Sequence, residues 1–516
     1  MTYFKTAKQK SQASFVGLCQ NASGEICLRI TSLQMRLCDS ARAVLHYTSQ
    51  KRYPHRKVKN IMSDAPLMLS ISGLRGLIGQ SLTPQVAAQY GTAVGQWFKT
   101  QTTKPKIVVG RDSRPSGEMI QNAFVSGLSS VGCEVVTLDI ATTPGVALMI
   151  EQLNGDGGIV ITASHNPIQW NGIKVLRKDG VAPAPQQAQQ IIDLFKNFNP
   201  TYVAPADIPQ TTADDTLPTV HSEKILQYID VQQIKKQRIK IVLDSVHGAG
   251  APETVKMLEA LGVELIHLYA EPTGLFPHTP EPTKANLTEL AAAVKEHNAA
   301  IGFAQDPDAD RLAIVDEHGT YIGEEYTLAL CAMHVFAQES NLPKVTVANL
   351  STSRMLDDIA AKYDGKVYRS AVGEANVAKL MEQHNAIVGG EGNGGIIWPK
   401  IGYVRNSLVG IALMLEMLAK QDKPLSQIVA TIPAYAIVKD KVDIKPGMSD
   451  TIEPSLRSAF GDAAFDTQDG VRVDWEDRWV HVRPSNTEPI LRLIAEAPDE
   501  AACKELISKC AQAMGL

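Results

Sequence analysis

The sequence predicts an α/β protein: three related α/β domains with mixed sheets, and a smaller C-terminal α+β domain, set around a central cleft. Three observations carry this prediction. An order of strand, helix, strand, helix, strand recurs three times along the chain. Each third strand runs into a loop of unusual composition. After Thr431-Ile432-Pro433 the pattern changes to short strands followed by one helix.

The elements follow in order. Residues 1–61 hold 11 Lys/Arg against two acids, Glu25 and Asp39, while the remainder carries 39 against 53. The segment lacks the apolar stretch and small-residue cleavage site of a secretory signal. A basic, Ser-containing, acid-poor segment also suits a transit-like sequence, but we expect 1–61 to be a disordered or non-native extension outside the fold, because Met62 opens a compact start, MSDAPLMLSISGLRG. The first repeat has strands at Lys106–Val109 and Gly132–Val136, the second at Lys240–Leu243 and Gly262–Ile266, the third at Lys344–Val347 and Gly365–Tyr368. Each second strand leads into a helical stretch ending near an asparagine, Asn154, Asn298 or Asn385. The third strands then enter the loops TASHNP, DPDADR and GEGNGG. Three equivalent sheet corners facing one another would make one site. Phe198–Val220 is rich in Pro, Thr, Ala and Asp without periodicity and reads as a linker. The expected divisions are 62–205, 206–315, 316–433 and 434–516. In the last, strands are expected at Val471–Val473, Trp479–Val482 and Ile490–Ala495, with a helix from Asp499.

Composition narrows the function. A hydrophobic content of 44% with 20% charged residues is ordinary for a globular chain. No apolar run reaches the ~18 residues of a membrane helix, so no membrane partner is expected. A net charge of −5 argues against nucleic acid as the main partner. Seven cysteines without CxxC spacing suggest reduced thiols, and hence a cytoplasmic location, rather than disulfides or a zinc site.

The chemistry lies in the loops. Ser164 and His165 follow the buried strand Gly157–Ile161, where open α/β sheets place their ligands. A serine needs a base or a preloaded phosphoryl group to react. The same pair elsewhere is a turn with its hydroxyl on local backbone, and a Ser–His hydrolase would lack its GxSxG elbow here. Asp306, Asp308 and Asp310 alternate, as carboxylates do when they converge on a hard divalent cation. An EF-hand would put Glu317 at its twelfth position. It fails because Arg311 stands where glycine is required and the flanks read as strands. Gly389–Gly395 carries Glu391 and Asn393 and is, by itself, a tight turn. In Arg483-Pro484-Ser485-Asn486-Thr487-Glu488-Pro489, an arginine, hydroxyls, an amide and free N–H groups suit a phosphate dianion, with a polar turn as the plain alternative.

Together TASHNP, DPDADR, GEGNGG, RPSNTEP and Ser72-Gly73-Leu74-Arg75-Gly76 resemble the loops of the α-D-phosphohexomutases. These enzymes move a phosphoryl group between the 1- and 6-positions of a hexose. The resemblance runs from about Leu67 to the C-terminus. It implies a phosphoryl group on Ser164, and Mg²⁺ held by Asp306, Asp308, Asp310 and a phosphoserine oxygen. It further implies Lys174 as general acid/base, and Arg75, His165 and Arg311 at the reacting phosphate. Glu391 and Asn393 would bind sugar hydroxyls. Arg483, Ser485, Asn486 and Thr487, helped by Arg492, would hold the non-reacting phosphate. Gly373-Glu374-Ala375-Asn376 would touch the sugar, while Arg111–Arg114 and His247 would be scaffold. Asn393 and Gly395 replace the Ser and His of many members, a variant that resembles the archaeal-type phosphoglucosamine mutases. The implied substrate is glucosamine 6-phosphate, with glucose and mannose phosphates next and a hexose 1,6-bisphosphate as activator. A monomer or homodimer is expected. A metal-dependent phosphatase or a non-catalytic sugar-phosphate sensor are the rival classes.

Overall fold

The structure is a computed structural model that describes residues 18–20, 26–28, 67–71, 73–443, 449–484 and 490–516. The chain forms two compact units, Met1–Ile61 and Met62–Leu516. In the first, Leu18–Gln20 pairs antiparallel with Ile26–Leu28.

The second unit shows the threefold repeat as three sheets of one design. In the second domain Lys240–Asp244 lies between Glu264–Leu268 and Ile301–Gln305, parallel to both, and Leu312–Asp316 returns antiparallel beside the third strand. The third domain repeats this with Val345–Asn349 between Lys366–Ser370 and Val388–Glu391, and Gly395–Ile397 antiparallel at the edge. In the first domain Lys106–Arg111, Glu134–Ile140, Gly157–Ile161 and Trp170–Arg177 make the same core of a seven-stranded sheet. Gly73–Leu77 and Met68–Ser70 extend one edge and Thr212–Ala213 the other. The linker reading of Phe198–Val220 therefore needs amending. Thr212–Ala213 adds to the sheet, and a helix starts at Leu217. Both are too short on the linker side to leave a periodic pattern.

The recurring asparagines have a physical reason. Asn298 and Asn385 are C-caps in the left-handed region (φ 51°), and Asn154 (φ 52°) follows its helix in the same conformation. Asparagine tolerates that region better than other residues with a Cβ, so it stops a helix and turns the chain into the next strand.

The third strands Gly157–Ile161, Ile301–Gln305 and Val388–Glu391 are buried along their whole lengths. Each fourth strand runs antiparallel beside the third, so the loop joining them lies at the carboxyl end of the third strand and can carry polar groups. A single apolar core joins the second and third domains around the helix Ser407–Gln421, whose residues are buried from Ser407 to Ala419. A helix with no polar face must lie inside.

The C-terminal domain is a five-stranded antiparallel sheet with helices Ser449–Ala459 and Glu500–Ala513. Asp499 caps the latter by accepting from Ala502 N at 2.8 Å. Hydrogen bonds tie this domain to the third: Ser351 Oγ to His481 Nδ1 at 2.8 Å, Arg354 N to Glu496 Oε1 at 2.9 Å, and Val372 N to Asp469 Oδ2 at 2.9 Å. No helix among the described residues is long and apolar enough to cross a membrane.

Candidate active site

Ser164 leaves its strand with φ 49°, a conformation uncommon for a residue with a Cβ, and is 4% exposed. Its surroundings hold it there. Ser164 N donates to Thr162 Oγ1 (2.8 Å), which donates to Asp112 Oδ2 (2.6 Å). Arg114, fully buried, donates to four carbonyls of the loop: Ser164 (2.6 Å), Asn166 (2.6 Å), Pro167 (2.9 Å) and Trp170 (3.1 Å). Its Nε meets Asp112 Oδ2 at 3.0 Å, so the buried charge is paired and every donor arm has work. The segment Arg111–Arg114 is thus the scaffold of the serine loop.

The hydroxyl of Ser164 donates to Asp306 Oδ2 at 2.7 Å, across the boundary between the first two domains. Asp306, Asp308 and Asp310 are all 0% exposed, and their ligand atoms lie within 4.8 Å of one another. Asp306 Oδ1 accepts from the backbone N–H of Asp310 and Arg311, each at 3.1 Å, which folds the loop round the acid cluster. Burial, with Asp310 and Asp308 adding repulsion, pushes the Asp306 carboxyl well up. For Asp308 and Asp310 burial acts the same way, but Lys174 on the former and Arg405 with Lys174 on the latter outweigh it and hold both below the usual range. Asp308 Oδ1 and Asp310 Oδ1 are buried without a hydrogen-bond partner among the described residues. Two orphaned carboxylate oxygens in an all-oxygen donor set fit a hard divalent cation, and the three aspartates could hold one. The flanks are strands, Ile301–Gln305 and Leu312–Asp316, and Glu317 turns away to Ser426 N at 3.1 Å, as the rejection of an EF-hand requires.

The other expected residues are placed as follows. Lys174, on the strand Trp170–Arg177, points its ammonium at Asp308 Oδ2 (2.6 Å), Asp310 Oδ2 (3.3 Å) and Thr143 Oγ1 (3.2 Å). Burial lowers its proton affinity, but the aspartates more than reverse this, so it stands as a firmly held ammonium. Arg75 donates to Asn166 Oδ1 at 2.8 Å. His165 Nδ1 lies 3.3 Å from Ser164 Oγ. Burial, then Arg311 and Arg75, push this imidazole down to about 3, so it is neutral near pH 7. Arg311 has its guanidinium 3.8 Å from Asp310 and 3.9 Å from Glu281, and its Nε is buried without a hydrogen-bond partner among the described residues.

Glu391, 5% exposed, accepts from Asn349 Nδ2 (2.8 Å), Gly373 N (3.2 Å) and Arg405 NH1 (2.8 Å), with Asn393 Nδ2 at 3.5 Å. Arg483 is near-buried, 3.6 Å from Asp469, and close enough to Glu391 to feel its charge. Arg492 faces it across the adjoining strand and is exposed. Ser72, Ser485, Asn486 and Thr487 lie outside the described residues.

Arg405 is the residue that sequence reasoning missed. Its guanidinium meets Asp310 Oδ2 (2.6 Å), Glu391 Oε2 (2.8 Å) and Glu374 Oε2 (2.9 Å), and so joins the acid loop to the Glu391 loop. Thr143 was missed as well; its hydroxyl donates to Asp308 Oδ2 at 2.6 Å. Neither lies in a motif. Their one local signal is position, since Arg405 precedes the N-cap Asn406 and Thr143 follows the N-cap Thr142.

Fold and site together define a class of α/β protein in which three like domains bring a serine, an acid cluster and arginines together where they meet. Comparison with known proteins names it. Family models described as phosphoglucomutase/phosphomannomutase match in four parts: α/β/α domain I at 68–200, domain II at 219–319, domain III at 324–435 and the C-terminal domain at 438–513. A phosphoglucomutase/phosphomannomutase of Thermococcus kodakarensis is 36% identical over 84% of this chain and 95% of its own length. A phosphoglucosamine/phosphogalactosamine mutase of Sulfurisphaera tokodaii is 34% identical over 86% and 98%. A crystal structure of a phosphoglucomutase/phosphomannomutase family protein from Burkholderia thailandensis superposes with a TM-score of 0.76 at 27% identity, covering 87% of this chain and 98% of that one. The chain belongs to the phosphoglucomutase/phosphomannomutase family, the α-D-phosphohexomutases.

Proposed function

We propose that the protein interconverts hexose 6-phosphate and hexose 1-phosphate by way of a phosphoserine and a hexose 1,6-bisphosphate, with glucosamine 6-phosphate as its first substrate. The carrying observation is the 2.7 Å contact between Ser164 Oγ and Asp306 Oδ2 inside a buried cluster of three aspartates. A plain turn would leave the serine on local backbone; this hydroxyl instead faces groups suited to a cation.

In this reading Ser164 Oγ carries a phosphoryl group. The P–O bond to serine breaks as a new P–O bond forms to the free sugar hydroxyl, whose proton passes to a nearby base. The resulting bisphosphate turns over and returns its other phosphoryl group to Ser164. Arg75 and Arg311 would offset the charge of the transferring oxygens. Lys174, held as an ammonium, supplies a proton to Ser164 Oγ as its P–O bond breaks. Asp306, Asp308 and Asp310 would hold Mg²⁺, which supplies electrophilic polarisation of the phosphoryl group. Glu391 and Asn393 bind sugar hydroxyls, and Arg483 with Ser485, Asn486 and Thr487, helped by Arg492, takes the non-reacting phosphate. A hexose 1,6-bisphosphate primes the serine. A monomer or homodimer is the assembly we expect. The buried, unpaired cysteines Cys133, Cys331, Cys503 and Cys510 suit a reducing cytoplasm.

The choice of sugar follows the relatives. The Methanopyrus kandleri protein, 35% identical, is named a probable phosphoglucosamine mutase. The name of the Thermococcus protein favours glucose and mannose phosphates as the second reading. A phosphorus NMR time course on glucosamine, glucose and mannose 6-phosphates, with Mg²⁺ and a trace of bisphosphate, tests both. We expect a 1-phosphate signal to grow fastest from glucosamine 6-phosphate without net release of inorganic phosphate. Steady accumulation of free phosphate would make the protein a phosphatase and overturn the proposal.

A further inference from the structure

Behind the acid cluster runs a second chain of buried polar groups that no motif announces. Its members are Thr142, Glu253, His221 and Asn406, all at most 4% exposed. Each comes from a helix or its cap, and between them they span all three α/β domains. Thr142 caps Thr143–Gln152 in the first, His221 and Glu253 lie on Leu217–Leu226 and Gly250–Leu261 in the second, and Asn406 caps Ser407–Gln421 in the third.

The hydrogen bonds have one consistent direction. Asn406 Oδ1 accepts from the backbone N–H of Leu408 (3.0 Å) and Val409 (3.3 Å), so its amide nitrogen faces His221 Nε2 at 2.8 Å. Nε2 must then accept, which leaves the ring hydrogen on Nδ1 to donate to Glu253 Oε2 at 2.6 Å. Glu253 in turn accepts from Thr142 N and Thr142 Oγ1, both at 2.9 Å. The fit is close: a Cβ on Gly145 would fall 2.7 Å from Glu253 Oε2.

Both ends stop one residue short of the acid cluster. Beside Thr142, Thr143 donates through its N–H to Asp308 O (3.0 Å) and through its hydroxyl to Asp308 Oδ2 (2.6 Å). Beside Asn406, Arg405 donates to Asp310 Oδ2 at 2.6 Å. The chain therefore clamps the two groups that hold Asp308 and Asp310, each from a different domain.

We propose that His221 and Glu253 are positioning residues that fix Thr143 and Arg405 relative to each other, and thereby set the spacing of Asp308 and Asp310 and the affinity of the cluster for a divalent cation. This rests on the reading that the three aspartates hold such a cation. Groups that orient metal ligands without touching the metal typically govern about 10–100-fold of affinity.

The test is Mn²⁺ binding to the full chain, followed by electron paramagnetic resonance and paired with thermal unfolding. Glu253→Gln places a donor against groups that already donate, and His221→Phe removes both ring contacts. Each should weaken Mn²⁺ binding about 10–100-fold. Thr142→Ser keeps the hydroxyl and should bind near the unaltered level. His334→Phe is the control for mere loss of a buried pair. It removes the 2.8 Å contact of His334 Nε2 with Glu416 Oε2, remote from the acid cluster in the bonding pattern, and should lower Tm with Mn²⁺ affinity unchanged.

Unchanged affinity in Glu253→Gln and His221→Phe would overturn the proposal, as would an equal loss in His334→Phe. No Mn²⁺ binding by the unaltered protein would instead remove the cation reading, and this proposal with it. If the two variants fail to fold, the imidazole resonances of His221 in the unaltered protein decide. They should show an Nδ1–H ring and move when Mg²⁺ is added, and resonances indifferent to Mg²⁺ would contradict the coupling.

Discussion

Glu325 shows what burial does to one carboxyl. Its Oε2 accepts from Ser353 N at 2.9 Å, while Oε1 has no hydrogen-bond partner among the described residues. Burial pushes this carboxyl up to about 8, despite the opposing charge of Lys439. Folded Glu325 therefore stays protonated to about pH 8, whereas in the unfolded chain it ionises from about pH 4.5. Its stabilising share is complete below the lower value and is lost as pH rises through the higher one. Glu325→Gln should remove that loss. Urea unfolding at pH 5 and pH 8.5 should show the unaltered protein weakening relative to the variant by roughly 2–4 kcal/mol across that window. Parallel stability curves would refute the shifted carboxyl. At this scale legibility depends on sequence distance. Asp306, Asp308 and Asp310 are neighbours in the chain and announce themselves. Arg405 lies 95 residues from Asp310, 31 from Glu374 and 14 from Glu391, and no local pattern records such meetings.

Among the elements, the serine loop depends on Arg114 more than on any residue within it. One guanidinium satisfies four carbonyls that a buried turn would otherwise leave bare. Arg114→Met strips those carbonyls of their donor and leaves Asp112 buried and unpaired, at a cost of about 3–5 kcal/mol. We expect a fall in Tm and a loss of turnover at temperatures where the variant remains folded, because Ser164 no longer holds its left-handed turn. Normal turnover in a folded Arg114→Met protein would show that the loop keeps its shape without the cage. The strands of the three repeats were readable because they are short, apolar and bounded by turn residues. Ala436–Asp443 was not. It is half-exposed, its sequence AIVKDKVD lacks a clean alternation, and its place in the sheet is fixed by pairing with Ile490–Ala497. The helix Ser449–Ala459 carries Pro454 inside it, which masked its periodicity.

For the molecule as a whole, the repeat made the three α/β domains legible and the change of pattern after Pro433 made the fourth legible. How the domains meet was not. Ser164 meets Asp306, Thr143 meets Asp308 and Arg405 meets Asp310 across domain boundaries, through side chains whose geometry exists only after folding. The family's loops pointed to the same corner because each follows the third strand of its repeat; the residues that lock the corner together lie outside them. The central claim is that this assembly makes Ser164 a phosphoryl carrier. The most direct measurement is incubation with radiolabelled hexose 1,6-bisphosphate, quenching and digestion, followed by a chase of the labelled protein with unlabelled glucosamine 6-phosphate. Label is expected on the peptide containing Ser164, with its transfer to sugar bisphosphate at the rate of turnover. Label on another residue, no label, or label that survives the chase would contradict the central claim.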